Sequence, residues 1–216
     1  MSLKLKALET AFGVLLIGLP VFAQSSADSL PGALSGREGR VIWFIHQVND
    51  DEIDASTLAQ QKTQSDAVKN FANQMIADHQ AAEQQVRAYA SSHGINLDTL
   101  RDQLVQREKN LLEDERRSKT VGSATGEWAF TWENTLRSRD QVRQELDKLQ
   151  KLDGAAFDRE FIRATIDGHQ QAVDRLNKAK NRGLSPDLGE LIDALLPTVR
   201  HHLEMARALR GAVAKA

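Results

Sequence analysis

Four residues combine metal-ligand chemistry with a spacing that lets them meet: Glu52, His79, His169 and His202. Walking by alternating threes and fours, the inward stripe of a first helical segment reads Ile45, Val48, Glu52, Ala55 and Ala59. A second reads Val68, Ala72, Met75, His79, Ala82, Val86 and Tyr89; a third Ile162, Thr165, His169, Ala172, Leu176 and Ala179; a fourth Leu188, Ile192, Leu195, Val199, His202, Ala206 and Leu209. Each apolar stripe is interrupted once, by a group able to hold a cation.

Depth decides whether the four interruptions can converge. Helices one and two turn near Gln64, placing Glu52 twelve residues before the turn and His79 fifteen after. Helices three and four turn near Leu184, with His169 fifteen before and His202 eighteen after. At roughly 1.5 Å of rise per residue, each pair is level to within about 5 Å in an antiparallel hairpin. Burying three imidazoles and a carboxylate without partners costs several kcal/mol, and one divalent cation satisfies all four. A polar network in which Glu52 pairs with an imidazole is the metal-free alternative.

The other histidines do not share the pattern. His46 is one residue off its stripe, His93 ends a helix, and His201 lies on a rotated face, so these three are read as surface or supporting groups. Asp78, Glu83 and Asp167 stand where they could orient a second imidazole nitrogen.

Composition narrows the chemistry. The 216 residues contain no cysteine, which excludes disulfides, thiolate zinc sites, iron–sulfur clusters and thiol nucleophiles. With 28 Lys plus Arg against 30 Asp plus Glu, the net charge of −2 gives no general attraction to nucleic acid or anionic lipid. No phosphate loop or nucleophile elbow occurs. Only 3 methionines argue against a methionine-lined cuprous carrier.

The elements that must position these residues are helical almost throughout, so an all-α antiparallel four-helix bundle is expected. Lys4 and Lys6, the apolar run Ala11 to Val21, and Val21-Phe22-Ala23 before Gln24 predict a signal peptide over 1–23. The apolar run is shorter than the roughly 20 residues of a membrane span, which predicts export to the periplasm, with secretion as the alternative, and no transmembrane span in the mature chain. A flexible leader is expected over 24–38 and the bundle domain over 39–216. Ser65-Asp66 opens the second helix, and Ser185-Pro186-Asp187 supplies the start of the fourth. Residues 96–151 read as an inserted helical hairpin between helices two and three. Its second arm carries Trp128, Trp132, Leu136, Val142, Leu146 and Leu149 on one stripe.

Several stretches resemble one known family. Phe71-Ala72 with Met75-Ile76-Ala77-Asp78-His79, then Gly154-Ala155-Ala156-Phe157-Asp158, His169-Gln170-Gln171-Ala172, Leu196-Pro197 and His202-Leu203-Glu204-Met205-Ala206 are similar to the signature of the exported bacterial family named domain of unknown function 4142. The resemblance covers about residues 40 to 95 and 148 to 210, and implies a ferritin-like four-helix bundle behind a signal peptide, with no demonstrated activity. The hairpin is longer than the short link expected there.

Ferritin-like architecture does not bring di-iron chemistry with it. A di-iron bundle needs Glu-x-x-His pairs, and the residues three before His79, His169 and His202 are Ile76, Ile166 and Val199. One Glu and three His fit a single divalent transition-metal ion, with zinc placed first and copper or iron acceptable. The expected function is an exported metal-binding bundle serving metal handling, envelope stress or structure. The alternatives are a mononuclear metalloenzyme with a three-His site and Glu52 as acid/base, and a metal-free envelope interaction protein using the 96–151 hairpin.

Overall fold

The computed structural model describes residues 36–118 and 143–214. The expected signal peptide, most of the leader, and Trp128 and Trp132 lie outside the described residues. Five long helices follow in order: α1 Gly36–Lys62, α2 Asp66–Ser92, α3 Leu97–Ser118, α4 Gly154–Lys180 and α5 Pro186–Val213. Residues 143–150 are also helical, and no strand occurs among the described residues. The fold is an all-α bundle.

Local chemistry sets the helix ends. Ser65, in extended backbone, accepts a hydrogen bond from the Val68 amide at 3.4 Å, and Asp66 adds a negative charge to the first turn of α2. Gly94 closes the other end at φ 65°, allowing the Ile95 amide to reach back to the Ala90 carbonyl at 2.8 Å. Pro186 starts α5 as expected, but the Ser185 side chain makes no cap bond; its backbone amide instead donates to Glu38 Oε1 at 2.8 Å. That bond ties the first turn of α1 to the start of α5. Accordingly α1 begins at Gly36, taking the last three residues of the expected leader into helix.

Short links make α1 with α2, and α4 with α5, antiparallel hairpins, which pack through α1 against α4 and α2 against α5. Their apolar residues form two separate clusters. One contains Ile42, Trp43, Ile45, Val86, Leu176, Leu188 and Ile192. The other contains Phe71, Met75, Phe157, Phe161, Ile162 and Ala206. Between them runs a buried polar layer: Asn49, His79, Thr165, His169 and His202. The bundle thus sandwiches its polar groups between two dry layers.

Both described arms of the expected hairpin pack on this frame. Leu97, Leu100 and Leu104 of α3 join the first cluster, and a Cβ at Gly39 would stand only 3.0 Å from Leu104 Cδ2, so the missing side chain lets α3 close on α1. At the other end Leu149 is buried in the second cluster. Lys62 Nζ fastens this segment by donating to the Gln150 and Leu152 carbonyls at 2.7 and 2.9 Å. Leu149 therefore anchors this segment in the core, and Leu149→Ala is expected to lower stability by about 2–4 kcal/mol in urea denaturation. Replacing the neighbouring Asp147 by Ala should change it by less than about 0.5 kcal/mol.

Candidate metal centre

The helices deliver the three predicted histidines to one point. His79 on α2, His169 on α4 and His202 on α5 are 4%, 1% and 0% exposed. Their ring centroids lie 5.7 Å (His79–His169), 5.2 Å (His79–His202) and 5.4 Å (His169–His202) apart. One ring nitrogen from each falls within 4.8 Å of one from the others.

Each ring has one nitrogen engaged and one bare. His169 Nδ1 donates to the Thr165 carbonyl at 3.0 Å, one turn earlier on its own helix. His202 Nε2 donates to Asp78 Oδ2 at 2.9 Å. His79 Nδ1 donates to Asn49 Oδ1 at 3.1 Å, and Asn49 is turned that way because its Nδ2 donates to Glu83 Oε2 at 3.3 Å. A carbonyl and a carboxylate can only accept, so the proton sits on the engaged nitrogen. The opposite nitrogens, His79 Nε2, His169 Nε2 and His202 Nδ1, are buried without a hydrogen-bond partner. Three lone pairs are left in a dry interior.

Burial keeps these rings uncharged. Loss of hydration, reinforced by the two neighbouring imidazoles, pushes His79 down to about 3, and burial takes His169 down to about 4. Burial also lowers His202, against the opposing pull of Asp78. For Asp78, burial is outweighed by hydrogen bonds from Gln74 and His202, which hold its carboxyl below the usual range. Three neutral imidazoles backed by hydrogen-bonded outer nitrogens form a donor set matched to a transition-metal ion.

Glu52 is placed differently. Its Oε1 lies 3.5 Å from His169 Nδ1, the nitrogen already engaged by Thr165, and it falls outside the mutually close ligand atoms. The carboxyl borders a cleft of about 430 Å³ with Phe44, Val48, Thr165, Gly168 and Ala172, and burial pushes it up to about 8. Carboxyl and ring are thus both neutral near pH 7, and their approach is no ion pair.

The residue of α1 that hydrogen-bonds one of the histidines is Asn49, which the sequence reading missed. The buried positions of α1 are Ile42, Ile45, Asn49, Ser56 and Ala59, whereas Val48, Glu52 and Ala55 are half-buried. Extending the stripe backwards to Ile42 would have selected Asn49. Of the proposed orienting groups, Asp78 holds His202 directly and Glu83 acts through Asn49. Asp167 instead pairs with Arg163 on the exposed side. His46 is mostly buried against Glu83, His93 bonds Asp187 at the end of α2, and His201 is exposed.

The family model described as domain of unknown function (DUF4142) matches residues 23–120 and 123–209. The chain belongs to this family. The DUF4142 match includes Glu52, His79, His169 and His202, and it runs through α3, so both described arms of the 96–151 region fall within the family domain. Among solved structures, CopM in the Cu(II)-bound form is similar in fold, with 18% identity and a TM-score of 0.50 over 81% of this chain and 96% of that one. No curated protein matches.

The opposed shifts of the imidazoles and Glu52 give the metal-free DUF4142 chain a stability optimum. Unfolded histidines take up protons below their ordinary 6.5, while His79 and His169 resist to about 3 and about 4. Stability therefore falls as pH drops from 6.5 towards 4, by about 1.4 kcal/mol per unit for each imidazole. Glu52 has the opposite sign: its folded value of about 8 exceeds the ordinary 4.5, so its contribution is full below 4.5 and is lost as pH rises to 8. Below 6.5 the imidazoles outnumber it. Urea midpoints should peak near pH 6.5, and Glu52→Gln should flatten the decline on the alkaline side and steepen the one on the acid side.

Proposed function

We propose that this chain binds one transition-metal ion in its core, between His79 Nε2, His169 Nε2 and His202 Nδ1, and retains it rather than using it for turnover. One observation carries the reading: every outward ring nitrogen is hydrogen-bonded, and every inward one is buried without a partner. An ordinary buried histidine network would use both nitrogens of at least some rings. A shared cation supplies what all three lack.

Copper comes first among the candidate ions. Imidazole sites accept zinc, copper and iron, and for a given donor set divalent copper binds more tightly than zinc. The solved relative in fold carries Cu(II). Neither point favours zinc. Export to the periplasm rests on the basic start and apolar run of residues 4–23; no described helix is long and apolar enough to cross a membrane. A role in metal handling or envelope stress follows from that placement.

The metalloenzyme reading draws on Glu52, whose raised carboxyl borders a cleft. That cleft lies against the Nδ1 side of His169, whereas the three free nitrogens are sealed from solvent. A second cleft, lined by Asn49, Asp78 and His79, measures only about 110 Å³, room for a few waters rather than a larger substrate, so retention is the better account.

Protein purified without a nickel column and reconstituted with copper should retain one tightly held equivalent after dialysis. The His79→Ala/His169→Ala/His202→Ala variant should retain none, with helical circular dichroism preserved. Asn49→Leu and Asp78→Ala, which release one outer nitrogen each, should weaken binding by about 10- to 100-fold. Equal copper retention by parent and triple variant would exclude the site.

A further inference from the structure

A second group of ligand-type side chains lies on α1 and α2: His46, Asp50 and Glu83. Glu83 is saturated. Its Oε1 accepts from His46 Nδ1 and from Arg87 Nε, each at 2.8 Å, and its Oε2 accepts from Asn49 at 3.3 Å. It holds His46 through Nδ1 and raises its pKa, so an ion at Nε2 has to displace a proton from that nitrogen. Hydrogen bonding of a carboxylate to the far nitrogen is the usual support for a metal-bound imidazole.

Nε2 faces a second donor. His46 Nε2 lies 3.7 Å from Asp50 Oδ2, one helical turn further along α1. For metal–ligand bonds of about 2.0–2.1 Å, donors that far apart subtend roughly 130° at an ion between them, so no backbone movement is required. His46 keeps 13% of its side-chain exposure and Asp50 48%, which leaves water free to complete the coordination. Asp50, Asp54 and Glu83 act on this spot against Arg87 and the His46 ring itself, so the local field still favours a cation.

We propose that His46 Nε2 and Asp50 form a second, solvent-facing site for a divalent transition-metal ion, with Glu83 as the positioning residue. Its ligands are distinct from the buried trio, although Glu83 touches both, through His46 and through Asn49. With two protein ligands it is the weaker and faster-exchanging of the two.

Copper(II) titration of the full chain, followed by calorimetry and electron paramagnetic resonance, tests the assignment. The parent should take up a second, weaker equivalent with coupling to a single nitrogen. His46→Ala should lose that equivalent and its signal, and Asp50→Asn should weaken it at least tenfold. Glu83→Gln should weaken it while leaving the single-nitrogen signature. The His79→Ala/His169→Ala/His202→Ala variant should keep it. A His46→Ala variant that binds as much copper as the parent overturns the proposal, as does an unchanged affinity in Asp50→Asn, which would reduce the site to a lone surface imidazole. Failure of the buried site shows separately, as a triple variant indistinguishable from the parent.

Discussion

Three imidazole nitrogens removed from water without partners form the constraint around which the bundle is organised. Each such buried acceptor costs about 1–3 kcal/mol, and the three sit side by side. The structure tolerates them because apolar clusters close the bundle on both sides, one around Ile42 and Ile192, the other around Phe71 and Phe161. Those clusters supply most of the apolar burial that offsets this cost.

The outer hydrogen bonds give the layer its geometry. Asn49 on α1 holds His79 on α2, and Asp78 on α2 holds His202 on α5. These two bonds cross helix boundaries and fix the axial register of α1, α2 and α5. His169 is held only by its own helix, through the Thr165 carbonyl. Register for α4 comes instead from packing of Phe157, Phe161 and Ile162. The histidines are thus pre-aimed before any ion arrives, which lowers the ordering cost of coordination.

How much of this was legible follows from the strength of each local signal. His79, His169 and His202 each replace an apolar residue in a long regular stripe, and turn signals at Ser65 and Ser185 fixed their depth. On α1 the signal was weaker. Its inward face is wide, so stripes through Val48 and Glu52 or through Asn49 and Ser56 fit the period almost equally well. The carboxylate drew the reading to Glu52 because it is the stronger ligand, while burial favoured the neutral amide. His46 was read as peripheral for a related reason. Its partner Glu83 lies on another helix, and no periodicity within α1 reveals a contact made across the bundle.

The relation between folding and binding follows from the same layering. A zinc finger needs its ion because its core is too small to pay the entropy of folding unaided. Here both end clusters contain several fully buried large side chains, including Phe71, Phe157, Phe161, Leu188 and Ile192. The ion-free chain is therefore expected to fold, carrying the strain of its bare nitrogens as a local deficit. An ion bound there would relieve that deficit and add stability according to how far the free ion exceeds its dissociation constant, about 2.7 kcal/mol at a hundredfold excess. A bundle built this way can fold both with and without an ion in its polar layer.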